Sequence, residues 1–375
     1  MAIFSPLLDV LAEIPDPRRA EGKLYQLPYV LLFAILAIVS GCNSYRGIIT
    51  FIDVHRHRLN AIFALKWRRA PAHTAIRYIL QGLDPAAVEA VFRRHAALLQ
   101  AARATPGQGS IALDGKTLRG SFDNFHDRAA AQVLSAFATD TALVLAHVEI
   151  AEKSNEIPAA QALLAELGVP AGAVVTLDAL HCQKKTFEAA AQANLALIVQ
   201  VKDNQPTLLR QITEFSTTTP PLGSAHSHDI GRNRDERRTV TVLDPANILA
   251  NTDWHPYVAA IIRVEREVFT RSSKTGLLRH SAETAFYVSN TPISARRAAD
   301  AIRAHWRIET TSHYSRDVTF GEDRSRIRTN PGVFARLRSF GFNILTAHRT
   351  NTLAQDRYRA ALAGIDNMLA LLAIS

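Results

Sequence analysis

The chain has 375 residues, 47% hydrophobic and 21% charged, proportions that exclude collagen-like, disordered and acidic-tail classes. Its length suits two or three domains at roughly 100 to 200 residues each. Lys and Arg number 43 against 34 Asp and Glu, a formal charge of +9, which favours a polyanionic partner without distinguishing DNA from RNA or a membrane surface.

Cys42 and Cys182 stand far apart with no Cys-x-x-Cys pair. Neither a disulfide framework nor a cysteine-rich zinc site can be built from them, which fits a reducing, cytoplasmic compartment. Residues 1–105 read as a helical domain: an apolar run from Leu27 to Cys42, then Tyr45–Phe63, Thr74–Leu80 and Pro85–Arg103. The run LPYVLLFAILAIVSGC has 16 residues, whereas a membrane span needs about 20, so it is expected to be a buried core helix. It also follows Asp9, Glu13, Asp16 and Glu21, unlike a cleaved leader. Residues 1–100 carry 12 Lys and Arg against seven Asp and Glu. The segment Pro71–Leu80 can start a recognition helix with Thr74 near its N-cap and Arg77 exposed; the alternative is a plain helical bundle with a solvated basic face.

Turn formers at 104–109 mark a boundary. Three strands are predicted next, at Ser110–Asp114, Gln132–Ala138 and Leu143–Ile150, with turns at Asp123-Asn124 and Asp140. A helix from Pro158 to Leu167 leads to a fourth strand, Ala173–Asp178. A helix over Gln183–Ala193 leads to a fifth, Leu195–Lys202. The order implies an α/β fold with a mixed sheet, an antiparallel meander followed by strands added through crossovers. From about 203 to 290 the pattern is a β-rich insertion with strands at Arg237–Leu243, Val258–Thr270 and Ala282–Ser289 and a hairpin turn at Ser272–Gly276. Helical periodicity returns from Ser294, as N-cap, to about Ser315. The chain thus divides into a helical domain over 1–105, an α/β domain over 106–350 containing the insertion, and a C-terminal helical tail over 351–375.

Two acids end apolar strands, Asp114 in IALDGK and Asp178 in VVTLDALH. Open α/β sheets build ligand sites outside the carboxyl ends of their strands. If the first and fourth strands are parallel neighbours, the two carboxylates emerge side by side. Their repulsion is usually neutralised by a cation, and hard oxygen donors favour Mg²⁺ or Mn²⁺. A third acid is expected from the helix beyond the insertion: Glu309 in HWRIE, with Asp317 as its rival. The bland alternative for either Asp is a turn or helix cap, and for Asp317 it is neutralising Arg316 or Arg324.

The blocks IPDPRRAEGKLYQLPYVLLFAILAIVSGC, IALDGKTLRGS, VVTLDALHCQKKT, VQVKDNQP, HWRIE and DVTFGEDRSRIR resemble, in order and over nearly the whole chain, DDE transposases of bacterial insertion sequences, and most of all their H-repeat-associated group. The resemblance implies an RNase H-like catalytic core, a β-strand insertion between the second and third acids and an N-terminal helical domain. It also implies a catalytic triad at Asp114, Asp178 and Glu309. A related signature places Tyr, Arg, Glu and Lys on the last catalytic helix; here Ile302 and His305 stand at the Tyr and Arg positions, and Arg316 supplies the later base. Thr310 and Tyr314 replace the Asn and Trp usual in the family.

The implied activity is cleavage of transposon ends followed by strand transfer into target DNA, through two divalent ions shared among the three acids. Partners would be double-stranded DNA, as terminal inverted repeats and target, and a second subunit in a homodimeric synaptic complex at the nucleoid. Lys116, Arg119, Lys184, Lys185, Lys202, Arg307, Arg316, Arg324, Arg326 and Arg328 are candidates to meet phosphates. Arg303, Arg336 and Arg338 add to the same basic segment. Trp306 is expected to pack in the core rather than stack on a base, and His181 to support the site or cap a helix rather than bind metal. The alternatives are an RNase H-like nuclease that only hydrolyses, or a catalytically inactive DNA-binding relic.

Overall fold

The segment Leu27–Val39 is apolar on every side, and such a helix is stable in water only when other elements surround it. In the computed structural model, which describes residues 5–372 apart from 106–108, 124, 126, 151–154 and 232, it is the second of five helices that precede the first strand. These are α1 (Ser5–Ala12), α2 (Leu27–Val39), α3 (Tyr45–Phe63), α4 (His73–Gln81) and α5 (Pro85–Arg103). Every residue from Val30 to Val39 is buried, packed against α1, α3 and the later helix Pro331–Ala347.

By length and composition the stretch Ala20–Val39 passes as a membrane span, yet 67% of its most apolar window is buried inside the protein. The helix itself has 13 residues, about 20 Å at 1.5 Å per residue, short of the roughly 30 Å hydrocarbon core. The buried-helix expectation therefore holds. Ser44 caps α3 by accepting from the Gly47 N–H, and Asp84 caps α5 by accepting from Ala86 and Ala87. Helix α4 starts after Ala72 without a side-chain cap, so Thr74 lies inside the first turn rather than at the cap; Arg77 is exposed as expected.

The remaining strands and helices are β1 (Ile111–Thr117), β2 (Gln132–Ala138), β3 (Val144–Ile150), α6 (Glu156–Glu166), β4 (Val174–Leu177), α7 (Lys184–Gln192), β5 (Ala196–Val201) and α8 (Pro206–Phe215). Then come β6 (Pro221–Gly231), β7 (Arg234–Leu243), α9 (Ala246–Leu249), β8 (Ala260–Arg271), β9 (Leu278–Ser289), α10 (Ala295–His305), α11 (Tyr314–Val318), α12 (Pro331–Ala347), α13 (Leu353–Leu362) and α14 (Ile365–Ala370). Part of the predicted boundary at 104–109, and Asn124 of the first predicted turn, lie outside the described residues.

The chain forms two compact units. The first comprises Met1–Pro106, Gly115–Asn155 and Arg307–Ser375; the second comprises Gly107–Asp114 and Glu156–Trp306. In the first, β2 and β3 form an antiparallel hairpin with Gln132 opposite Ile150, in the order β3-β2-β1. Helices α5 and α12 pack on β3.

In the second unit the order is β1-β4-β5-β9-β8-β7-β6. Strands β1, β4 and β5 are parallel, while β9 joins β5 antiparallel and the rest follow as antiparallel hairpins. This is the mixed sheet expected, preceded by the expected helices. Strand β9 hydrogen-bonds to β5, so the β-rich segment extends the sheet. Helix α10, capped by Ser294 at the Arg297 N–H, lays Ala298, Ala301 and Ile302 against Val240, Val242 and Ile262. The helical stretch predicted to run to about Ser315 continues past His305 as a wider π-helical turn, Ile308–His313, followed by α11.

Candidate active site

Parallel pairing of β1 with β4 sets Ile111 opposite Val175 and Ala112 opposite Thr176. Two residues further along, Asp114 comes level with Asp178. The sequence achieves this with apolar residues up to each acid, so both strands run through the core before their first carboxylate. Strand β1 continues to Thr117, which leaves Asp114 half-buried within the strand rather than at its end. Strand β4 stops at Leu177, and Asp178 begins a 3-10 turn, accepting from the Leu180 N–H at 3.0 Å. Asp178 is thus a cap, as the bland alternative held, while its side chain keeps 53% of its surface exposed.

A small cavity of about 20 Å³ adjoins Asp178, lined also by Thr176, Gln200, Tyr287, His305 and Trp306. Its size admits one water-sized group. The Thr176 hydroxyl lies 2.9 Å from His305 Nδ1 and 3.4 Å from the Ile111 carbonyl, to which it donates. Burial pushes the His305 pKa down to about 4, against the opposing pull of the Asp178 charge. His305 is therefore a neutral imidazole near pH 7, not the permanent cation an Arg would be at that position. Trp306 is 48% exposed and meets His305 edge-on at 5.7 Å; the expectation of core packing is corrected. His181 is buried, its Nε2 3.1 Å from Glu156 Oε1 and 3.9 Å from Asp178 Oδ1, a supporting position as expected.

Glu309 belongs to the other compact unit, where it is exposed on the π-helical turn Ile308–His313. Single π turns in helices occur frequently at functional sites. Among the described residues, no group of three or more His, Cys, Asp and Glu side chains is arranged to hold a metal ion.

The same unit buries a charge network that corrects two phosphate-contact assignments. Arg316 has no exposed surface and pairs with Glu322 at 2.9 Å. Lys116 is 9% exposed and pairs with Asp317, with Asp323 at 3.7 Å and with Glu322 at 4.0 Å. Both side chains are buried and paired with carboxylates, which removes them from the phosphate contacts. Asp317 neutralises Lys116, not Arg316 or Arg324. Burial raises Glu322, but Arg316, Arg338 and Lys116 outweigh it and hold the carboxyl below its ordinary value. Burial pushes Asp317 above its ordinary value despite the Lys116 ammonium. Arg336 and Arg338 are buried as well, so the basic segment is less positive at its surface than its sequence.

Other candidates stay accessible. Arg119 has a 79% exposed side chain beside Asp323 at 3.7 Å. Arg307 is exposed and donates to the Thr139 carbonyl. Arg324 and Arg326 are exposed, and Arg328 reaches Asp123 at 3.9 Å. In the second unit Lys202 is exposed, while Lys184 lies 3.1 Å from Asp253 and above the Trp254 ring. Sequence reasoning passed over Thr176, whose signal was a lone hydroxyl in the apolar strand VVTL two residues before Asp178. It also passed over Glu322, legible only as an acid among the arginines of GEDRSRIR.

Two family models match the chain: one described as DDE_Tnp_1-associated over residues 8–96, and one described as a transposase DDE domain over residues 105–339. YhhI, an H repeat-associated protein of Escherichia coli strain K12, is 29% identical over 349 residues, covering 91% of this chain and 90% of its own. YbfL of the same strain matches with the same identity and coverage. A cryo-EM structure of the piggyBac transposase synaptic complex with hairpin DNA aligns over 98% of this chain and 80% of that chain, with 10% sequence identity and a TM-score of 0.44.

Proposed function

Since the chain belongs to the family of transposases with a DDE domain, we propose that it cuts DNA at the ends of a transposon and joins those ends to target DNA. The observation that carries this reading is the parallel pairing of β1 with β4, whose register, continued two residues, sets Asp114 level with Asp178 just past the end of β4. Two carboxylates so placed, one half-buried and one largely exposed, supply hard oxygen donors of the kind that suits Mg²⁺ or Mn²⁺. Glu309 is the third ligand in this proposal. A bound divalent ion would make a water or a 3′-hydroxyl a better nucleophile and stabilise charge on the attacked phosphate.

The chain's own residues have definable parts. Asp178 is held by its cap to the Leu180 N–H, which fixes one oxygen and leaves the other side of the carboxylate open. Thr176 and neutral His305 support that strand end from below. Exposed Arg119, Lys202, Arg307, Arg324, Arg326 and Arg328, with Lys184, meet phosphates and position the strand. No covalent protein intermediate is needed, so no Ser, Tyr or Cys nucleophile is assigned; Cys182 is buried and its thiol is pushed up to about 12 by burial.

In this proposal residues 1–105 associate with DNA, residues 106–350 carry catalysis and 351–375 form the tail. Two copies hold two transposon ends in a homodimer, acting in the cytoplasm at the nucleoid. The test is incubation of purified protein with Mg²⁺ or Mn²⁺ and duplexes carrying the DNA that borders this reading frame. Cleavage at the borders and joined products are expected, and both should vanish in Asp114→Asn. Cleavage without joining would reduce the activity to hydrolysis, and binding without either would leave a DNA-binding relic.

A further inference from the structure

A groove of about 720 Å³ opens among the N-terminal helices, between residues Leu24–Gln26 and the loop Ala64–Arg69 that joins α3 to α4. The loop turns through Ala64 in the left-handed region, φ 52°, and is then tied down at successive residues. The Asn60 side chain accepts from the Trp67 N–H at 3.3 Å and donates to the Trp67 carbonyl at 2.9 Å. The Tyr25 hydroxyl lies 3.3 Å from the carbonyls of Arg69 and Ala70, and the Arg56 guanidinium donates to the Arg68 carbonyl. Trp67 is buried, edge-on to Tyr25 at 4.9 Å and to Phe33 at 5.4 Å.

With Trp67 turned inward, Lys66, Arg68 and Arg69 are left exposed along the groove. No acid lines it. Three cations in four residues repel one another, and the fold spends its hydrogen bonds on fixing them where no carboxylate relieves that repulsion. A string of phosphates relieves that repulsion. Guanidinium forks match phosphate oxygens in pairs, and a loop already rigid loses little freedom on binding.

We propose that the Lys66–Arg69 loop is a clamp for the phosphodiester backbone of duplex DNA, giving the N-terminal helices a contact that holds DNA whatever its base sequence. The choice of DNA as the polyanion rests on the function proposed above; the clamp itself does not depend on catalysis.

The experiment measures binding of fluorescent duplex DNA to the full chain by anisotropy, without divalent metal, across a salt series. Two triple variants are compared: Lys66→Gln/Arg68→Gln/Arg69→Gln, and Arg210→Gln/Arg296→Gln/Arg359→Gln, which removes equal charge at exposed positions elsewhere. Each phosphate contact contributes a slope of about 0.9 in log affinity against log salt. The loop variant should lose roughly 2 to 3 units of slope, while the control stays near the wild type. Equal losses in both variants, or an unchanged slope in the loop variant, would overturn the clamp. So would loss of binding to vesicles of anionic lipid with DNA binding intact. A protein that fails to cut DNA but shows the expected difference would refute the catalytic reading and leave the clamp standing.

Discussion

His305 Nδ1 lies 2.9 Å from the hydroxyl of Thr176, two residues before Asp178, which follows the end of the same strand. The last turn of α10 is thus tied to the edge of the candidate site by one hydrogen bond, and burial keeps the imidazole neutral, with its pKa lowered to about 4. His305→Ala or Thr176→Val should therefore slow cleavage without changing how it depends on pH between 6 and 8, since no proton is exchanged there. His305→Gln, which retains a hydrogen-bonding side chain, should recover most of the rate. A pH–rate profile of the three variants checks this; a limb near pH 6.5 that disappears with His305 would show that the imidazole titrates in use.

Acid should weaken the fold over a defined window. His95 and His305 are held down to about 4 and His313 to about 3, in each case chiefly by burial, with Arg316 and Lys116 adding to the effect at His313. A histidine depressed in the folded state binds its proton more readily when unfolded. Its contribution is complete above pH 6.5 and is lost as pH falls toward the folded value. Thermal melts from pH 7 to pH 4 should show a steady fall in Tm. For His95 alone the loss is up to about 3 kcal/mol, and His95→Phe, beside the ring of Phe340, should flatten the fall. An unchanged slope in that variant would place the acid sensitivity elsewhere.

Among the described residues, Glu322 is the carboxylate that faces both Arg316, at 2.9 Å, and Arg338, at 3.9 Å. Its removal leaves buried guanidinium charge uncompensated, which typically costs about 3 to 5 kcal/mol. Glu322→Gln should lower Tm markedly, and urea unfolding should show the same loss. A neutral result would mean that the network relaxes or that water reaches it.

Helix α2 supplies a packing test. Leu36 is 1% exposed, and truncating such a side chain opens a cavity costing about 2 to 5 kcal/mol. Leu36→Ala should destabilise the protein by that amount in denaturant titrations, and the wild type should stay in the supernatant after high-speed centrifugation without detergent. Obligatory cosedimentation with liposomes in high salt would contradict the buried position, because salt removes purely electrostatic lipid binding.

Much of this architecture was legible because hydrophobic period is a local signal. Tyr45–Phe63, Pro85–Arg103 and Gln132–Ala138 fold over the very residues the pattern marks. Strand β6 escaped because PLGSAHSHDIG has little apolar alternation; it is the last strand of its sheet, with one face half-buried and the other exposed. Helix α8 was missed too, although Pro206 at its start is a recognisable signal. The helical stretch read to about Ser315 does continue past His305, but its π step was not legible, because a π turn changes the hydrogen-bond step and not the residue types. At the site, the apolar strands leading to Asp114 and Asp178 could be read directly. The fates of Lys116 and Arg316 could not: Lys116 meets Asp317 from 201 residues away, and nothing local distinguishes a buried lysine from one that meets phosphate.

In the proposed reaction Asp114 and Asp178 act together on the scissile phosphate. Single-turnover cleavage of a border duplex by Asp178→Asn, with binding of the same duplex measured in parallel, tests it most directly. Cleavage below detection with binding close to wild type is expected, because the amide keeps the shape and the Leu180 cap but loses the charge. Cleavage by Asp178→Asn at a rate near that of the wild type would contradict it.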